Sequence, residues 1–264
     1  MAITTMDGLL AGISSASNVN FMKVSAAAEG AGTYHSLFKV AGFPIAGANP
    51  PTGVGDIPTS ATVGAIPFTN PGGANTKYFG RVEMVSSTIG TLIIYDRLWH
   101  NSGWVGNIAT SQTVNSTALT RNTSGVGVEI FGEVYTAMGA TASTFSVTYT
   151  DSTDTSRVGT YAQPANALSV GQMFYFNPPI AGNGCKSIQS VILSISTGTA
   201  GNFGLTMVKR VAEIPLTLAN VSYVMDSFAL GMPTLEDNSC LCAMVACTTT
   251  ATGNIFGSLK LIEG

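Results

Sequence analysis

Beyond residue 78, apolar and polar positions alternate with a period of two over most of the chain, which predicts β-strands. Val126, Val128, Ile130, Gly132 and Val134 alternate with Gly127, Glu129, Phe131 and Glu133, and Phe145, Val147 and Tyr149 alternate with Ser146 and Thr148. The run from Thr91 to Tyr95 reads as a fully buried strand. Further runs start at Phe79, Met173, Val191, Leu205, Leu241 and Ile255, each short and bounded by Gly, Asn, Asp or Pro. About eight to ten such segments, rich in Thr and β-branched residues, predict an all-β fold of the β-sandwich or jelly-roll kind. No helical period recurs between them, so a parallel α/β sheet is not expected.

The start of the chain differs. Met6, Leu9, Leu10 and Ile13 follow one another at helical spacing, with Thr4 as the expected cap and Asp7 three residues later as in a capping box. Gly8 and Gly12 weaken the helix. Residues 1–20 are therefore expected to form a short helix packed on its own domain or an arm docked on a neighbour, and 21–264 a single β-rich domain. In 20–40, apolar runs around Phe21, Val24, Leu37 and Val40 are separated by the small residues from Ala26 to Gly32. Residues 42–76 carry Pro44, Pro50, Pro51, Pro58, Pro67 and Pro71, and regular structure is not expected for most of them. A loop of this length is usually functional or makes contacts, here expected to be with neighbours. The polar stretch from Asp151 to Ser156 reads as a hinge or a hairpin loop.

Composition narrows the function classes. Only 11 basic and 14 acidic side chains occur in 264 residues, 9% of the chain, against about 25% in an ordinary soluble domain. A net charge of −3 and a pI near 5.3 argue against nucleic acid as a partner, since phosphates need clustered Lys and Arg. Mean hydropathy is +0.32, yet Gly, Ser, Thr or Asn interrupts every run before the ~20 apolar residues that span a bilayer, so no membrane is expected. The opening residues resemble no secretory signal. With so few charges, either the 32 Thr and 25 Ser keep the surface dispersed or partners cover much of it.

Candidate chemistry is sparse. Cys240, Cys242 and Cys247 cluster, but not at zinc-site spacing. As a strand, this segment puts Cys240 and Cys242 on one face and Leu241, Ala243, Val245 and Cys247 on the other, so all four cysteines, Cys185 included, are expected as reduced buried thiols. A triad of Ser36, His100 and Asp96 lacks a nucleophile elbow. Ser36 and Lys39 match a Ser-x-x-Lys pattern without its companion motifs, and the Gly182–Ser187 turn leads into a strand instead of a helix. Asp151 and Asp154 lack calcium-loop spacing and are expected in a solvated loop. Glu129 and Glu133 share a strand face but lie roughly 13 Å apart, too far for a glycosidase pair on their own. Glycosylation patterns at Asn115, Asn122 and Asn220 carry no weight without secretion. No catalytic residue, cofactor or metal is expected.

The segment from Asp96 to Trp104 holds both tryptophans, one of two histidines and one of five arginines. Trp99 and Trp104 serve either as core anchors beneath a loop, with Asp96–Arg97 as a local charge pair, or as an anchor for a partner or sugar. Here the chain resembles a family of tailed-bacteriophage virion proteins. The resemblance rests on Asp96 to Gly103, on Met1 to Leu9, on Tyr34 to Phe38, and on Leu230 to Pro233 with Asp237 and Asn238, in the same order along nearly the whole chain. It implies a virion component and no catalytic residues. Among such components the expectation is a capsid cement (decoration) protein on the capsid exterior, bound to the major capsid protein and to itself, as a homotrimer, with Met6, Leu9, Leu10, Ile13, Trp99 and Trp104 at partner interfaces. A tail, neck or baseplate component, a glycan- or receptor-binding module using Tyr95, Trp99 and Trp104, and a glycan hydrolase using Glu129 are the other readings.

Overall fold

The computed structural model describes residues 2–24, 30–250 and 253–264; the spacer at 26–29 and Met1 lie outside the described residues. One nine-residue helix, α1 (Met6–Ser14), precedes the strands. Its cap is Thr5, whose Oγ1 accepts from Gly8 N at 3.1 Å. The cap expected at Thr4 is thus displaced by one residue, and Gly8, three residues on, has no side chain to complete a capping box.

Three β assemblies follow. A six-stranded closed barrel runs in the order β10 (Gln172–Tyr175), β2 (Tyr34–Ser36), β15 (Leu241–Cys247), β5 (Gly90–His100), β12 (Asn202–Leu216) and β7 (Val128–Thr136), which pairs back with β10. One flank is a sheet ordered β6 (Gln112–Thr113), β11 (Ser187–Leu193), β8 (Ser143–Thr150), β9 (Ser156–Gln163). The other is ordered β13 (Ser222–Met225), β4 (Lys77–Ser86), β16 (Asn254–Glu263), β1 (Ser17–Val24), β3 (Gly42–Phe43), with β14 (Thr234–Leu235) beside β4. The expected boundary at residue 20 falls inside β1. A single turn of helix, α2 (Ser227–Leu230), is capped by Asp226 and closed by Gly231 in the left-handed region.

The strand period explains this layering. Each barrel strand sends alternate side chains inward and outward. Ile93, Tyr95, Phe131, Cys240, Cys242 and Met244 meet inside the barrel. Leu92, Ile94, Leu241, Ala243 and Val245 instead pack on the five-stranded path with Phe79, Val82 and Leu259. Trp99, Ile130, Val134, Phe203 and Leu205 pack on the four-stranded sheet with Phe145 and Val191. The alternation expected around Cys240 is the one observed, and all four cysteines are buried and outside any disulfide among the described residues. Gly132 is required where the Phe174 ring lies against its backbone, in the space a Cβ would fill.

The chain between 42 and 76 is mostly irregular, as its prolines predict, but it does not reach away as an arm. It is stitched to its own barrel by the Asp96–Trp104 segment. Asn101 Nδ2 donates to Gly53 O at 2.8 Å, Ser102 Oγ to Pro50 O at 2.6 Å and Trp99 Nε1 to Val54 O at 3.1 Å. The stretch around Asp151 is a hairpin turn between β8 and β9.

Candidate functional site

Two regions stand out: a charged cluster enclosed in the barrel and an apolar face left open on the flanking sheet. Arg97 projects inward from β5 and is fully buried. Its Nη2 pairs with Glu133 and donates to Tyr135 Oη at 3.1 Å and Thr206 Oγ1 at 3.2 Å. Its Nε donates to His100 Nδ1 at 2.8 Å, and its guanidinium lies 4.5 Å from the Phe38 ring centre. Burial opposes the charge on Arg97, but Glu133 together with Tyr135, Tyr95 and Cys242 outweighs it and holds the guanidinium well above its ordinary pKa. Burial likewise pushes Glu133 up, and Arg97 with hydrogen bonds from Arg97, Ser36 and Tyr135 carries it below the usual carboxylate value. Because His100 Nδ1 accepts from Arg97, the ring proton sits on Nε2 and faces Asp56 Oδ1 at 2.8 Å. Burial and the Arg97 charge lower the His100 pKa, so it is held as the neutral tautomer. This is a sealed ion pair, suited to fixing side-chain positions inside the barrel, although Arg97 Nη1 and Glu133 Oε1 are buried without a hydrogen-bond partner among the described residues.

The expected Asp96–Arg97 pair is not formed, because consecutive strand residues point to opposite faces. Asp96 instead takes Arg121, at 3.1 Å to Nε and 3.0 Å to Nη2. That also separates the imagined triad, since Asp96 and His100 serve different arginines. Glu129 and Glu133 are occupied by Arg210 and Arg97 respectively. Asp151 is buried and not solvated. It accepts from Thr153 N, Thr153 Oγ1, Thr155 N, Arg157 Nε and Asn183 Nδ2, and these bonds hold its pKa well below the ordinary value although burial opposes them. Asp154 pairs with Lys186. Among the described residues no group of three or more His, Cys, Asp or Glu is placed to hold a metal.

Trp99 is 0% exposed and Tyr95 is enclosed as well, so neither offers a bare ring to a partner or a sugar, whereas Trp104 is half-buried against the same core as Trp99. The helix candidates divide by face. Leu9 is buried against Tyr78 and Ile262, whereas Met6, Leu10 and Ile13 are 56%, 58% and 39% exposed.

The same side of the flanking sheet carries a feature that single residues do not reveal. Register places Phe43 opposite Met22, Met22 opposite Phe256, and Phe256 opposite Val85. The first three are 45–50% exposed. They form one apolar row across β3, β1, β16 and β4. The next rows are polar: Asn20, Ser258 and Glu83, then Asn18, Lys260 and Arg81. In β16, Leu261 enters the core while Ile262 meets α1, so the helix lies over the far end of this open face. Sequence reading missed the row because each member sits on a different strand, and only the register aligns them.

No protein-family model and no curated protein matches the chain. Among solved structures, similar ones include that of the infectious bursal disease virus Gx strain (12% identity, TM-score 0.20, 94% of this chain and 81% of that chain). The VP2 subviral particle of the same virus gives the same values. T=1 particles derived from the virus give 11% identity and TM-score 0.20, over 94% and 78% of the two chains. These neighbours are all viral particle structures, and an overlap this low leaves function to be read from residues and surfaces. Among the described residues no helix is long and apolar enough to cross a membrane.

Proposed function

We propose that this chain is a non-enzymatic virion structural protein that acts as a capsid cement. It binds the outside of an assembled shell across subunit boundaries and associates with itself, as a homotrimer. The observation that carries the reading is the open apolar row of Phe43, Met22 and Phe256, on the same face as α1 but separated from it by two polar rows, on a chain with so few charges. A contiguous apolar patch rimmed by polar residues marks an interaction surface. The resemblance of the Asp96–Gly103 block and its companions to phage virion proteins supports the setting. Asp96, Glu129, Glu133 and His100, the acid and base groups considered for catalysis, are each bound to a structural partner. A ligand that binds only the assembled shell stabilises it by linkage.

The test adds the purified protein to intact shells and to dissociated capsid subunits. Binding to shells in hundreds of copies, lost in Phe256→Glu with no change in melting temperature, is the expected result. A handful of copies per particle would move the protein to the tail, and equal binding to free subunits would end the cement reading.

A further inference from the structure

At one end of the barrel, where β7 begins and β10 ends, lies a cavity of about 300 Å³. Most of its wall is apolar, built from Val128, Ile130, Phe176 and Pro178. Three polar groups on that wall are left unspent. The hydroxyls of Tyr149 and Tyr175 have no hydrogen-bond partner among the described residues. Lys209 Nζ donates only to Val126 O, at 2.8 Å, and is in no ion pair among the described residues. Its neighbour Arg210 is already neutralised by Glu129 and Glu213, each at 2.6 Å. Glu129 lines the cavity too, but it is engaged by Arg210. Burial raises the pKa of both phenols, so at neutral pH they remain donors. Cys185 on the same wall is fully enclosed, and burial pushes its thiol pKa up, so it is no nucleophile.

An apolar wall that carries three donors, one of them a cation, has a defined complement. The tyrosine hydroxyls can donate or accept, but Lys209 only donates and carries a charge, so an anionic head group is favoured over a cationic one, and a dianion would find one positive charge too few. We propose that this cavity binds a small amphipathic carboxylate, its apolar tail on Ile130 and Phe176 and its carboxylate on Lys209 and the two tyrosine hydroxyls. The site is separate from the open sheet face and serves equally a shell-bound or a free protomer.

Calorimetric titration of the full chain with octanoate, 1-octanol and octylammonium tests this. Octanoate is expected to saturate one site per chain, more tightly than either analogue. Lys209→Met is expected to weaken octanoate about tenfold and leave 1-octanol unchanged, as loss of one charge-assisted bond predicts. Tyr175→Phe supplies a second variant, expected to weaken octanoate several-fold with an unchanged melting curve. Equal affinities for octanoate and octylammonium, an octanoate affinity indifferent to Lys209→Met, or no saturable binding would each overturn the proposal.

Discussion

Lys23 is 1% exposed on an inward position of β1, and its ammonium donates to a single carbonyl, Val40 O, at 3.1 Å. Burial, only partly opposed by Cys242, lowers its pKa from the ordinary 10.5 to about 8. Between those two values the unfolded chain binds the extra proton, so stability contributed at this site rises with pH through that window and is lowest below pH 8. Lys23→Met is therefore expected to raise stability at pH 7, on the order of 1–3 kcal/mol, and the gain should shrink towards pH 10.5. Chemical denaturation of both proteins across that range checks it, and a pH-independent difference would refute the burial account. Glu133→Ala has the opposite sign. It leaves Arg97 charged and unpaired inside the barrel, which is expected to cost about 3–5 kcal/mol, read as a lower denaturation midpoint. Residue-level chemistry was legible where it depended on parity alone, as with the two faces of the Cys240–Cys247 strand. Arg97 was not. Its real partner lies 36 positions away, and only barrel closure brings the two together, whereas the adjacent Asp96 offered a false partner.

At the scale of elements, α1 adheres to the sheet through one side chain. Leu9→Ala removes the contact with Tyr78 and Ile262 and is expected to destabilise by about 2–3 kcal/mol, whereas Leu10→Ala, on the exposed face, should change stability by less than about 0.5. Thermal melts of the two variants discriminate, and equal effects would mean that the helix docks by another face. The helix was visible in the spacing of Met6, Leu9 and Ile13, and its cap was missed by one residue because two threonines adjoin. The 15-residue strand β12 was seen only as the short run from Leu205. Lys209 and Arg210 interrupt the apolar pattern there, and a bulge at Val211, between the pairs of Arg210 and Ala212, resets its parity. A period-two reading breaks wherever a bulge inserts a residue.

The whole molecule is organised by long-range pairing that no local pattern encodes. β1 joins β16 from the opposite end of the sequence, and β7 closes on β10. All-β character and layered packing followed from alternation, but the enclosed barrel between two sheets did not, because closure is a property of strand order. That cylinder is unevenly sewn. Ten register pairs join β5 to β12, yet β2 holds its place with three pairs to β15 and two to β10. Stress should therefore unzip one seam and spare the rest, so amides of Tyr34, His35 and Ser36 should take up deuterium well before those of β5. Through that slit water would reach the inner arginine while both outer layers stayed intact, leaving a protomer ajar yet still assembled.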